Sequence, residues 1–173
     1  MTAAIEPKKR DVAPVGDVDP LYDLIELLFF AYRDFVGDAD RLLAAYAFGR
    51  AHHRVLHFVH RHPGLSVAEL LDILKITKQS LSRVMKELLE ADLIEVRSGA
   101  SDRRQRLLHL SPAGDRLAVT LSVAQSRRFT ALLATRPPGT RDLIADLLLG
   151  LVDPEERVAV TRLVREGKRR DAP

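Results

Sequence analysis

Residues Ser66 to Glu90 read SVAELLDILKITKQSLSRVMKELLE, and this stretch decides the fold. Ser66 and Glu69 have the spacing of a capping box. The serine oxygen takes a free helix N–H and the glutamate reaches back to the cap. A short helix is therefore expected over Val67–Leu74. Lys75-Ile76 leaves room only for a tight connection, and Thr77 is placed to cap a second helix over Lys78–Ala91. Within that second helix Leu81, Val84, Met85 and Leu88 recur at i, i+3, i+4 and i+7, the period of one buried face. At about 100° per residue, Gln79, Arg83 and Lys86 fall opposite that stripe, with Ser80 and Ser82 on its flanks and Lys78 at the N-terminal end. These residues suit the edge of a DNA major groove. Arg83 can pair bidentately with guanine and Gln79 with adenine. Thr77, Ser80 and Ser82 are short enough to let the helix end approach phosphate, where its N–H groups and dipole favour an anion.

Downstream, Leu93-Ile94-Glu95-Val96-Arg97 alternates and holds β-branched residues, and Leu107-Leu108-His109-Leu110 reads as its return strand. Between them Ser98 to Arg106 is polar and turn-like. The segment 97–106 carries four arginines, Arg97, Arg103, Arg104 and Arg106, against one acid, Asp102. Guanidinium groups suit phosphate clamping and narrow minor grooves. With Ser101 they form the expected DNA-facing wing. Asp102 is read as a brace for Arg104 or for turn amides, leaving Arg103 and Arg106 to reach DNA. Taken singly, a polar helix face or an arginine-rich loop is as often a solvated surface. Their order matters more. Capped helix, tight turn, capped polar-faced helix, strand, basic tip and strand is the order of a winged helix-turn-helix.

Working outward, Leu21–Val36 is apolar nearly all round, so a soluble helix there must be covered on more than one side, and another subunit is the expected second cover. One long helix is expected from Leu21 to about Ala44, crossing Gly37, with a break at Gly37–Asp38 as the competing reading. A helix over Arg50–Arg61 follows, with Val55, Leu56 and Val59 inward, stopped by His62-Pro63-Gly64. Ser111-Pro112 opens a long helix to about Ala134. Arg136-Pro137-Pro138-Gly139 breaks it, and two further helices are read at Thr140–Leu151 and Pro154–Glu166. The fold class is thus mainly α, a winged helix-turn-helix with a short β-hairpin wing and long N- and C-terminal dimerisation helices. Its parts are a disordered tail (1–20), an N-terminal dimerisation helix (21–47), the DNA-binding domain (48–111), C-terminal dimerisation helices (112–167) and a basic tail (168–173).

Composition narrows the function. The chain has 173 residues, 46% of them hydrophobic, enough for one domain with helical extensions. It has no cysteine, which excludes disulfides, thiolate catalysis and Cys-ligated zinc. The formal charge of +3 hides a polarity: residues 1–40 hold 9 acidic and 4 basic groups, leaving +8 for the remainder. A basic body fits an anionic partner. The 21 arginines against 6 lysines also fit a GC-rich genome, so placement must decide. The longest uncharged run of the apolar N-terminal stretch, Leu27–Tyr32, is far short of the ~20 residues a membrane span needs. The N-terminus lacks the apolar core of a signal peptide, and a cytoplasmic protein is expected. Zinc-protease, nucleophile-elbow and P-loop patterns do not occur, so no enzyme and no cofactor is expected.

At this point the chain from about residue 21 to 134 resembles the MarR family of winged-helix bacterial transcription regulators. The likeness runs through His52-His53-Arg54-Val55-Leu56, Leu65–Leu70, Thr77–Arg83, Leu88–Ile94, Ser101-Asp102-Arg103-Arg104 and Leu110-Ser111-Pro112-Ala113-Gly114. The Asp102-Arg103-Arg104 signature is the most specific of these. The resemblance implies a homodimer on double-stranded DNA at a palindromic operator, regulated by a small ligand bound between the dimerisation and DNA-binding regions, with repression the usual outcome. The C-terminal helices are longer than that pattern.

His53, His57 and His60 stand at i, i+4 and i+7. The spacing permits a metal pair, but no thiolate or carboxylate accompanies it and no metal site is expected. Phe48, His52, His53 and His57 are read instead as a possible effector pocket. The alternative function, a winged-helix protein-interaction module without DNA binding, is disfavoured by Gln79, Arg83 and the wing arginines.

Overall fold

The computed structural model describes residues 19–99 and 105–168. Seven α-helices and a small sheet follow in the order α1 (Tyr22–Leu43), α2 (Arg50–Arg61), β1 (Leu65–Ser66), α3 (Val67–Leu74), α4 (Lys78–Glu90), β2 (Ile94–Ser98), β3 (Arg106–Leu110), α5 (Pro112–Leu133), α6 (Thr140–Gly150) and α7 (Arg157–Lys168). A 3-10 turn, Ala44–Tyr46, joins α1 to the loop before α2. α1 runs unbroken through Gly37.

The core lies where α2, α3, α4, α5 and β3 converge. Leu56, Leu70, Leu74, Leu81, Leu88, Leu108 and Leu121 are all essentially inaccessible there. The stripe read from the sequence, Leu81, Val84, Met85 and Leu88, is the buried side of α4, and Val55, Leu56 and Val59 that of α2.

Local chemistry sets the helix ends. Ser66 Oγ accepts the Glu69 N–H at 3.2 Å, and the Glu69 carboxylate accepts from the Ser66 backbone N–H at 2.7 Å. The Ser66 hydroxyl, which donates to the same carboxylate oxygen at 2.7 Å, and then the Ser66 N–H hold the Glu69 carboxyl below its usual range. Lys75 ends α3 in the left-handed conformation, φ 50°, which makes the two-residue turn possible. Arg54 on α2 donates from Nη2 to the Leu74 carbonyl at 2.7 Å, satisfying an orphan acceptor at the end of α3.

The sheet is antiparallel, in the order β1-β3-β2, with Ile94 opposite Leu110 and Ser98 opposite Arg106. β2 is displaced by one residue from the sequence reading, and β3 begins one residue earlier than read, at Arg106, with the same end. β1 was not foreseen. Only two residues long, it pairs Leu65 with Leu108 along the second edge of β3. The Gly64 N–H continues the pairing to the Leu108 carbonyl at 2.8 Å.

The C-terminal end also differs. The Asp153–Glu156 segment forms a turn rather than the first turn of α7. Arg157 folds its guanidinium back onto the carbonyls of Val152 (2.9 Å) and Gly150 (2.7 Å), closing the end of α6 before α7 begins. Among the described residues no helix is long and apolar enough to cross a membrane.

α1 and α5 pack side by side. Phe35 meets Phe129 edge-on at 5.8 Å, and Asp38 pairs with Arg128. Only Val36, Ala39 and Leu43 of α1 are buried. Its first half leaves Tyr22, Leu24, Leu27, Leu28, Phe29 and Phe30 exposed, so the cover expected for this helix is not supplied by the other described residues.

Candidate nucleic-acid interface

The polar residues picked out on α4 share one open face. Thr77, Lys78, Gln79, Ser80, Ser82, Arg83 and Lys86 are all exposed, while the leucine stripe behind them is buried. Thr77 has a structural duty as well. Its Oγ1 accepts the Ser80 N–H at 3.1 Å and its proton goes to Ser80 Oγ at 2.9 Å, so both hydroxyls hold the first turn of α4.

Arg83 projects into solvent, its side chain 83% exposed. Its Nε donates to Glu87 Oε1 at 3.0 Å. Lys86 faces Glu90 at a looser 3.7 Å. The Glu87 carboxyl is held below its usual range, chiefly by the Arg83 bond and then by His52. The sequence reading missed Glu87. Its position at i+4 from Arg83 was the available signal.

The wing leaves the same region. Gly99 N–H donates to the Gln105 carbonyl at 3.0 Å, closing the strands at the base of the tip. Arg106 is exposed on β3. Arg97 is tied along its own strand, donating to Glu95 Oε2 at 2.9 Å from Nη2. Ser101, Asp102, Arg103 and Arg104 lie outside the described residues, and so does the bracing role read for Asp102.

The wing is seated on α5 by Ser111. Its N–H donates to the Leu93 carbonyl at 3.1 Å, and its hydroxyl donates to the Asp92 carbonyl at 2.6 Å. The same oxygen accepts the Gly114 N–H at 3.0 Å as the N-cap of α5. One serine therefore joins the end of α4, the start of the wing and the first turn of α5.

The residues read as an effector pocket form two ring pairs, Phe48 with His52 and His53 with His57. Phe48 stacks on His52 with ring centroids 4.4 Å apart, and Tyr46 stacks on Phe48 at 5.8 Å. His52 is buried and its Nε2 lies 2.6 Å from Glu87 Oε2. His53 meets His57 edge-on at 6.4 Å. Burial pushes His53 below the ordinary histidine range, opposed by the Asp40 carboxylate. His57 is pushed down to about 4, first by burial and then by the neighbouring charges of His53 and Arg61. His60, the third member of the spacing, turns to Asp115 instead, with Nδ1 2.8 Å from the carboxylate. Among the described residues no three His, Asp or Glu side chains gather in a metal-holding group. A separate surface recess between α1 and α5, which the sequence did not reveal, is lined by Asp38, Arg41, Leu42, Arg127 and Arg128.

Comparison with known proteins agrees with this geometry. The MarR family model matches residues 48–105, from the loop before α2 to the wing. The HTH-type transcriptional regulator PetP of Rhodobacter capsulatus is 44% identical over 133 residues, covering 77% of this chain and 80% of the relative. Among solved structures, S. aureus MepR in its DNA-binding conformation superposes with a TM-score of 0.63 at 17% identity, covering 74% of this chain and 95% of MepR. The crystal structure of MarR gives 0.57 at 24% identity, covering 82% and 99% respectively. A buried-and-exposed division of α4, a hairpin seated by Ser111 and a close curated relative all converge: the chain belongs to the MarR family of winged-helix transcriptional regulators.

Proposed function

We propose that this protein is a homodimeric, sequence-specific DNA-binding repressor of the cytoplasm, released from a palindromic operator by a small ligand. The observation that carries the DNA-binding part is the division of α4. Lys78, Gln79, Ser80, Ser82, Arg83 and Lys86 are solvent-facing on a helix whose opposite stripe is locked in the core. In this reading α4 enters the major groove. Arg83 and Gln79 meet base edges, and Thr77, Ser80, Ser82, Lys78 and Lys86 lie against phosphate. Ser101, Arg103, Arg104 and Arg106 grip flanking backbone or minor groove, with Asp102 holding the wing's shape. Two copies joined through α1 and the C-terminal helices would address half-sites about 34–36 Å apart.

The effector reading is supported by two buried polar atoms without a hydrogen-bond partner among the described residues, Asp40 Oδ1 and His53 Nε2, the second on the ring that meets His57 edge-on. Buried polar groups are normally satisfied, so such a pair is a place for a polar ligand. A ligand that favoured a dimer with mismatched helix spacing would release the operator.

The test is a titration of duplex DNA at increasing salt. Affinity should fall steeply with salt as phosphate contacts are screened. Arg83→Ala should erode preference at one base pair by ~1–3 kcal/mol. Salt-independent binding, or an Arg83→Ala, Arg106→Ala double variant that binds as the parent does, would contradict the proposal.

A further inference from the structure

Arg83 does not project from α4 unaided. Its Nε is held by one oxygen of Glu87, and the other oxygen of that carboxylate meets His52 on a different helix, 2.6 Å away. The imidazole is itself fixed on two further sides. Its Nδ1 accepts the backbone N–H of Gly49 at 3.2 Å, and its face lies on the Phe48 ring with only 8° between the planes. A ring nitrogen that accepts an N–H carries no proton, so the proton of the neutral ring sits on Nε2 and points at Glu87. A donor on each side therefore fixes the carboxylate. The neighbouring pair, Lys86 and Glu90, has no such third member among the described residues and is longer at 3.7 Å.

We propose that His52 and Glu87 are positioning residues for Arg83, setting the direction in which its guanidinium meets the operator and so the protein's sequence preference. The proposal rests on the reading of Arg83 as a base-contacting residue. The bond to Glu87 uses Nε, while end-on bidentate pairing with guanine uses the two terminal amino groups, so both can exist at once. An isolated exposed i,i+4 pair orders an arginine weakly. Glu87 differs because its second oxygen is anchored on a buried ring. Ordering the side chain before DNA arrives removes part of the entropy that binding would otherwise lose. It also keeps the guanidinium from swinging to a phosphate, a contact that carries no sequence information.

The experiment first selects the preferred duplex from randomised DNA with the unaltered protein. It then measures the ratio of affinities for each base at every position. Arg83→Ala should flatten one position by about 10-fold. Glu87→Ala and His52→Leu should flatten that same position by several-fold. His52→Gln, which keeps an amide donor near the place of Nε2, should recover most of the preference. In an Arg83→Ala background neither Glu87→Ala nor His52→Leu should change the ratio further. The ratio is unaffected by the general rise in DNA affinity that loss of a negative charge brings. Glu87 lies on the outer side of α4, so its variant keeps the fold even where His52→Leu weakens it. Full preference retained in Glu87→Ala beside a flattened Arg83→Ala would overturn the positioning role alone. So would an equal effect of Glu87→Ala with and without Arg83. Preference untouched by Arg83→Ala would overturn the base-reading role and the positioning role together.

Discussion

Gly114, in the first turn of α5, passes so close to Leu93 that a β-carbon there would lie 1.9 Å from the Leu93 carbonyl oxygen. The same carbonyl accepts the Ser111 N–H, so it cannot swing away without losing that bond. The approach places α5 directly against the turn that starts the wing.

Gly114→Ala should therefore destabilise the protein by about 1–3 kcal/mol, the range for forced overpacking. Urea unfolding reads this as a lower midpoint. A midpoint equal to the parent's would show that the junction can relax, and that glycine is not required there.

The bond from Arg54 to the Leu74 carbonyl ties α2 to the end of α3, just before the turn that aims α4. Arg54→Met keeps most of the stem and removes the donor. We expect a loss of about 1 kcal/mol, the usual net value of one hydrogen bond. Hydrogen exchange should show faster opening of α3 than of α5. Uniform acceleration through all helices would argue against a local cap.

Acid should weaken the fold through His57. Its folded value is about 4 against an ordinary 6.5, so the neutral ring is what the folded state keeps. Between those values the unfolded chain binds more protons than the folded one, and stability falls as pH drops through that window. From pH 7 to 5 the loss is at most about 2 kcal/mol. His53, also pushed down by burial, acts in the same direction. His57→Gln should flatten the slope of stability against pH above about 5, where carboxylates still contribute little. An unaltered slope would remove His57 as the cause.

The bare half of α1 gives the proposed dimer a direct test. Ile25, Leu28, Phe29 and Tyr32 recur at i, i+3, i+4 and i+7 and are all exposed in the single chain. Such a patch on a soluble protein marks an interface. Sedimentation should find the parent dimeric at micromolar concentration, and Leu28→Glu with Phe29→Glu monomeric. A parent that sediments as a monomer would sink the proposal.

What could be read in advance was local. The capping box of Ser66 and Glu69, the cap at Thr77, the stripe of Leu81, Val84, Met85 and Leu88, and the Ser111-Pro112 start all act within one helical turn or two. The structure places them as expected. The Asp153-Pro154-Glu155-Glu156 start signal failed because a competing local bond set, Arg157 onto the carbonyls ending α6, delays α7 to Arg157. Two residues of strand at Leu65–Ser66 are too few for a period to register. That strand exists because β3 has a second edge to satisfy.

The candidate interface divides the same way. Period alone put Gln79, Arg83 and Lys86 on the face opposite the core. The i+4 spacing offered Glu87 to Arg83, but the anchor of that carboxylate was beyond any period, because Glu87 meets His52 across 35 residues of sequence. The sequence by itself determined which residues face inward and where most helices begin, since those follow from spacing and short-range hydrogen bonds. Only the tertiary structure decided which helix meets the carboxylate that holds Arg83, which glycine the wing junction requires, and that the apolar half of α1 is left uncovered by the other described residues. Each of these depends on groups far apart in the chain meeting within a few ångströms, a distance set by how the helices pack.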